Sequence, residues 1–208
     1  MLRALRRAAD RRRQIDGDHG WLFAPYTGEE LVAIDCVTTG PDPRRAELLS
    51  LAAVRLRGDR VLTSDSLDLR LACPSSLGGD SIRRHGLRGI DLAEGAGIDE
   101  ALAQFLDFVG NRPLIGWRLD DDLTLLNRYL RPRFGFDLPN ACIDVAQAYY
   151  RRLRRSHPEL VTRPRFEQVA ERLGVPVMGR HTALGDAVTT ALIHLRLTRS
   201  PPEIERFC

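Results

Sequence analysis

The sequence predicts an α/β fold on a mixed five-stranded sheet, three antiparallel strands followed by two parallel ones, with helices on both faces. Three observations carry this expectation. First, LVAIDCV (31–37) is a short, nearly continuous apolar run, as a strand buried on both faces requires. Second, ELLSLAAVRLRG and RVLTSDSLDLRL flank a Gly58-Asp59 turn and alternate with period two in their outer halves, which marks a hairpin. Third, the later apolar runs RPLIGW and NACIDVA are separated by segments of helical spacing, and strands that alternate with helices run parallel.

The remaining elements follow from periodicity and turn chemistry. Residues 1–15 read as a short basic helix with Leu2, Leu5 and Ala9 on one stripe, and 16–30 as a linker whose Trp21, Phe23 and Tyr26 can pin it to the domain. Pro, Ser and Gly make 74–80 a loop. IDEALAQFLDFVG places Leu102, Phe105, Leu106 and Val109 on one helical face. DDLTLLNRYL begins with carboxylates at a helix N-terminus, where the dipole favours them. AQAYYRRLRR, RFEQVAERLG and TALGDAVTTALIHLRL complete the helices. The expected organisation is a basic helix and linker over 1–30, one domain over 31–198 and a tail over 199–208, because 208 residues suffice for one well-cored domain but not two.

Composition excludes several classes. There is no apolar run long enough to span a bilayer, so no membrane association is expected. The N-terminus lacks the apolar core of a secretory signal, which places the chain in a reducing cytoplasm. Cys36, Cys73, Cys142 and Cys208 form no CxxC pair, against a zinc knuckle or a disulfide framework. No GxGxxG or GxxxxGK[ST] loop is present, against a mononucleotide or dinucleotide cradle. The net charge is only +3, and all 31 basic residues are arginine, as a GC-rich genome produces. Six of them fall in the first 13 residues and four in RRLRR (151–155), blocks that suit either a solvated helix face or phosphate contacts.

Three aspartates occupy comparable places. Asp35 ends the first strand, Asp122 opens the helix after the fourth, and Asp186 lies near the start of the last helix. A charged group inside LVAIDCV is costly to bury without a partner or a metal. Taken singly, Asp122 reads equally as a helix-capping carboxylate and His181 as a loop histidine. Carboxylates gathered beyond strand ends are also what hard divalent cations such as Mg²⁺ or Mn²⁺ need. His181 and Asp186 are five apart, so one continuous helix would point them in different directions; serving one site requires His181 on the preceding loop.

AIDCVTTGPDPRRAELLSLAAVRL, LIGWRLDDDLTLLNRYL and HTALGDAVTTALIHLRL resemble, in order, the three motifs of the DnaQ-like 3′–5′ exonuclease superfamily. The similarity is to the branch with a histidine five residues before the last aspartate, which includes the proofreading subunit of bacterial DNA polymerase III. RHGLRGIDLAEG resembles that family's segment near the terminal nucleotide. The resemblance implies a ribonuclease-H-like fold and hydrolysis at single-stranded DNA or RNA 3′ ends. It implies metal ligation by Asp35, Asp122 and Asp186, with His181 as general base, and contacts to the terminal nucleotide from Thr38, Thr39 and His85. Trp117 is a candidate for stacking on a base or for the core. A polymerase or other protein partner would use the basic N-terminal helix.

The pattern breaks at Val37, where the family has glutamate. Positions 35 and 37 of a strand share a face, so valine removes one of two adjacent carboxylates. The expected two-ion site keeps three carboxylates of four, or retains a single ion. Asp120 and Asp121 are the neighbours that would have to supply a substitute oxygen, although residue 121 points about 100° away from 122 on a helix. A slow or Mn²⁺-preferring exonuclease is therefore expected, with a catalytically impaired nucleic-acid-binding or partner-binding module as the alternative. Cys36, between the two motif positions, is expected to face the opposite side and join the core.

Overall fold

A computed structural model describes residues 2–158 and 163–199, with side chains from residue 5 onward. The expected tail over 199–208 lies, beyond its first residue, outside the described residues. Strands β1 (Glu30–Thr38), β2 (Leu48–Arg57), β3 (Arg60–Arg70), β4 (Leu114–Gly116) and β5 (Cys142–Asp144) form one sheet of order β3-β2-β1-β4-β5. The first three pair antiparallel, and β4 and β5 join in parallel, as the sequence predicts. β1 is central because its residues are apolar on both faces and can be covered twice.

Helices α3 (Ile98–Val109) and α4 (Leu119–Phe134) cover one face, where they meet Val32 and Ile34 of β1. Helices α5 (Val145–Ser156), α6 (Phe166–Arg172) and α7 (Ala183–Arg199) cover the other, around Ala33, Tyr149 and Ala187. Two further helices precede these. α1 spans Leu2–Gln14, and α2 spans Gly79–His85, where the sequence predicts a loop only as far as residue 80. α2 ends on Gly86, whose left-handed backbone (φ 76°) stops the helix.

The N-terminal segment is built onto the domain. A short 3₁₀ turn (Gly20–Phe23) buries Leu22 and Phe23 in the α3/α4 core, and Phe23 meets Phe136 edge-on at 5.5 Å. Asp10 on α1 is fully buried and accepts from Arg131 at 2.7 Å, which in turn grips Asp137 at 2.7 Å. These contacts fasten α1 to the C-terminal end of α4. Of the expected pins, Tyr26 accepts the Glu30 N–H through its hydroxyl at 2.9 Å, while Trp21 is 44% exposed. No helix among the described residues is long and apolar enough to cross a membrane, and among the described residues Cys36, Cys73 and Cys142 form no disulfide with one another.

Candidate active site

The site forms beyond the C-terminal ends of β1, β4 and β5. Asp35 and Val37 point to the α7 face of β1, and Cys36 to the α4 face. After β4 the chain turns through Arg118, in a left-handed conformation (φ 57°), straight into α4. That turn places buried Asp122 over the end of β1. Asp186, also buried, arrives from the first turn of α7. Asp35, Asp122, Thr38, Arg84 and Trp117 line a pocket of about 210 Å³.

The carboxylates act on one another. Burial, then the charges of Asp122 and Asp186, push the Asp35 carboxyl well above the ordinary carboxylate range. Burial also raises Asp122, with Asp121 and Asp144 adding to it, while the thiol and backbone N–H of Cys36 donate to it and act oppositely. Cys36 faces the α4 side and packs against the core there, as expected, but it is only half-buried, and its thiol reaches Asp122. The reason is that α4 lies on the face to which Cys36 points.

His181 occupies the turn before α7, with a positive φ of 68° that few non-glycine residues adopt. The turn is held against α7 by the Thr182 hydroxyl, which accepts the Gly185 N–H at 3.1 Å, and by Met178 N–H donating to the Thr189 hydroxyl at 2.9 Å. Gly185 is required there, since a Cβ on it would stand 1.9 Å from the Met178 carbonyl oxygen. Asp186 accepts from Arg180 at 2.5 Å, and Arg180 also donates to Glu167 at 2.6 Å. Burial raises the Asp186 carboxyl; Arg180 and His181 oppose the rise without cancelling it.

The other expected contacts are placed unequally. Thr38 lines the pocket and donates to the Gly40 carbonyl at 2.8 Å. Thr39 is turned away, its hydroxyl accepting the Glu47 N–H at 2.9 Å. Both ring nitrogens of His85 are engaged, one by Ser81 at 2.6 Å and the other by the Leu87 N–H at 3.0 Å. Burial, then Arg84 and His181, lower its basicity. Its neighbour Arg84, not singled out by the sequence, lines the pocket instead. Trp117 is half-buried, with Phe166 edge-on at 5.1 Å. Val37 sits in a small apolar cluster with Leu49, Ala52, Leu92 and Ala183. Asp121, the neighbour considered for a substitute oxygen, lines the pocket and is paired through Oδ2 with Arg118 at 2.8 Å.

Sequence reasoning missed Arg180, Arg84 and Asp144. Asp144 caps α5 by accepting the Gln147 N–H at 2.9 Å while its charge bears on Asp122. Among the described residues no three His, Cys, Asp or Glu side chains are gathered so as to hold a metal ion. Arg180 engages Asp186, and Cys36 engages Asp122. The donor chemistry nevertheless fits a hard cation: the three groups are carboxylates, and Oδ1 of Asp186 is buried with no hydrogen-bond partner.

Residues 32–194 match the model of the exonuclease family RNase_T. The chain is 30% identical over 172 residues to the DNA polymerase III subunit epsilon of Aquifex aeolicus, covering 79% of that protein. Its backbone is similar to that of cell-death related nuclease 4 (TM-score 0.69, 15% identity, 82% of this chain and 64% of the other). It is also similar to E. coli exonuclease I in complex with a dT13 oligonucleotide (TM-score 0.68, 16% identity, 85% of this chain and 42% of the other). At those identities the structures bear on fold alone, and the chain spans less than two thirds of either. The family match covers most of the chain, and with it the elements that carry Asp35, Asp122 and Asp186 and the turn that carries His181; the chain belongs to the RNase_T exonuclease family.

Proposed function

We propose that the chain is a divalent-cation-dependent 3′–5′ exonuclease that hydrolyses phosphodiester bonds at single-stranded DNA or RNA ends, at a rate limited by Val37. The observation that carries the reading is that Asp35 and Asp122 line one small pocket while the charges of both Asp122 and Asp186 bear on Asp35. Asp35, Asp122 and Asp186 would hold Mg²⁺ or Mn²⁺, which when bound supplies positive charge against the charge that develops on the phosphodiester. His181, on its turn beside Asp186, takes the proton of the attacking water, a role imidazole fits near neutral pH. Thr38 and Arg84 line the space for the terminal nucleotide, and Trp117 closes one wall. The dT13 strand in the exonuclease I structure supports a single-stranded substrate.

Association with a polymerase or another protein through α1 belongs to the same proposal. Leu5 (64% exposed) and Ile15 (70%) stand beside the exposed Arg11 and Arg12, at the end of α4 remote from the carboxylates. The relation to a polymerase III subunit supports it.

The direct test uses 5′-labelled DNA and RNA strands with Mg²⁺ or Mn²⁺. A ladder shortened from the 3′ end supports the proposal. A second reading, a catalytically impaired module that binds strands, is favoured by the burial of Val37 among apolar side chains and by the Arg180 contact on Asp186. Intact strands with both cations, together with cleavage by Val37→Glu, would decide for that reading.

A further inference from the structure

We propose that the cleft between the start of α4, α5 and the approach to α6 is a binding site for the single strand that leads away from the scissile bond. Arg163 and Arg165 take its phosphates, and Trp117 takes a base. The inference deepens the exonuclease reading and rests on it. The cleft, of about 950 Å³, is far larger than the carboxylate pocket, and Trp117, Arg118 and Asp121 line both. A strand whose last nucleotide enters the smaller space therefore has the larger one as its adjoining exit.

The charges of the lining select the ligand. Arg118 is paired with Asp121, and Arg180 with Glu167 and Asp186. On the acidic side Asp144 is occupied as the cap of α5. Arg163 lies 5.3 Å over the ring of Tyr150, and neither it nor Arg165 has a carboxylate partner among the described residues. Two planar guanidiniums lining the cleft, with no carboxylate partner among the described residues, suit successive phosphodiesters. Of the lining carboxylates, Glu167 on α6 is taken by Arg180 and the others, Asp120, Asp121 and Asp144, lie on the α4 and α5 side, so the strand's backbone belongs on the side of residues 163–165.

The apolar part of the lining is held by ring contacts. Phe166 and Tyr150 meet the Trp117 ring edge-on at 5.1 and 6.1 Å, and the Tyr150 hydroxyl donates to the Pro164 carbonyl at 2.9 Å. An aromatic ring fixed beside arginines is the arrangement on which single-stranded bases stack without sequence preference. Positive charge continues outward along α5. Gln147 lines the cleft, Arg151 donates to its carbonyl at 3.3 Å, and Arg154 and Arg155 are exposed beyond.

The test is fluorescence anisotropy of 5′-fluorescein-dT12 with the full chain in EDTA, so that no strand is cut. The Arg163→Ala/Arg165→Ala double variant is compared with Arg11→Ala/Arg12→Ala, an equal loss of charge on the remote helix α1. Loss of two phosphate contacts lowers the slope of log K against log salt by about 1.4. We expect at least tenfold weaker dT12 binding in the cleft variant, little change in the α1 variant, and unchanged binding of thymidine 5′-monophosphate, which fills only the smaller pocket. Equal dT12 affinities in the two variants, an equal loss for the monophosphate, or no dT12 binding by the unaltered chain would each overturn the cleft. Hydrolysis of the p-nitrophenyl ester of thymidine 5′-monophosphate with Mn²⁺ separates the two readings, since that ester has no upstream nucleotide. If dT12 binds through the cleft but the ester stays intact, the hydrolytic reading fails while the strand site stands.

Discussion

Replacing Arg180 by alanine separates what this arginine does for the fold from what it does to the cation site. Its bond to Glu167, a residue 45% exposed, contributes little, whereas Asp186 is only 12% exposed and loses its one guanidinium. A charge-assisted hydrogen bond to a poorly solvated carboxylate is worth roughly 1.5–3 kcal/mol, and partial exposure of Arg180 brings the expected loss to about 2 kcal/mol. For a chain of this size that lowers Tm by roughly 4–8 °C. The same group competes with any cation for Asp186, so its removal favours cation binding by a comparable amount, about thirtyfold in Kd. Differential scanning fluorimetry with and without Mn²⁺ reads the first quantity, and isothermal titration calorimetry the second. A variant with unchanged Tm and unchanged Mn²⁺ affinity would refute the assignment of Arg180 as the counter-ion of Asp186.

Further expectations follow from the same site. Val37→Glu restores a carboxylate beside Asp35 and raises turnover at least tenfold in a labelled-strand assay, while burying a charge near Leu49 and Ala183 costs about 1–3 kcal/mol in cation-free chemical denaturation. His181→Asn, which tolerates the left-handed backbone, keeps stability within about 0.5 kcal/mol by denaturation and lowers kcat by about 10²–10⁴. Asp35→Asn abolishes turnover yet raises the cation-free Tm, because it removes a carboxylate that burial and its neighbours disfavour. The pH dependence has a definite sign. The carboxyls of Asp35, Asp122 and Asp186 all have raised folded-state pKa values, so the unfolded chain releases these protons first, near 3.8. Cation-free stability should therefore fall as pH rises above that value, and saturating Mn²⁺ should flatten the fall. Glu30, held low by Arg112 and Arg57, contributes oppositely, its part being lost as pH falls below its ordinary value of 4.5. Denaturation midpoints across pH, with EDTA and with Mn²⁺, check both.

The sheet was legible because its signals are local. The apolar run through Asp35, the Gly58-Asp59 turn and the alternation beyond it specify order and direction with no long-range knowledge. A turn containing His181 was expected only on the condition that it and Asp186 serve one site, since residues five apart on one helix point in different directions; the structure has that turn. Helix α2 was not legible: its seven residues begin with Gly79, at the end of the segment 74–80 whose composition reads as loop, and are stopped by Gly86, too short a run to show helical spacing. Arg180 and Arg84 were hidden by abundance, because in a chain whose basic residues are all arginine no single one stands out. Phe23 was legible as a pin of the linker, but nothing local said that Leu22 beside it would also enter the main core. Cys36 was read from strand alternation, which gives its direction correctly but cannot say that a carboxylate from α4 waits on that side.

The most vulnerable position of the site carries no functional group. Gly185 lets the backbone at 178–179 lie directly against α7. Adding one methyl there would lift the whole turn, and His181, Arg180 and the loop behind them would shift as one body, although none of their own side chains had changed. A screen that replaces only chemically active residues would miss this position. Loss of function there would look like a folding defect, while its cause would be a displacement of the machinery from the helix that aims it.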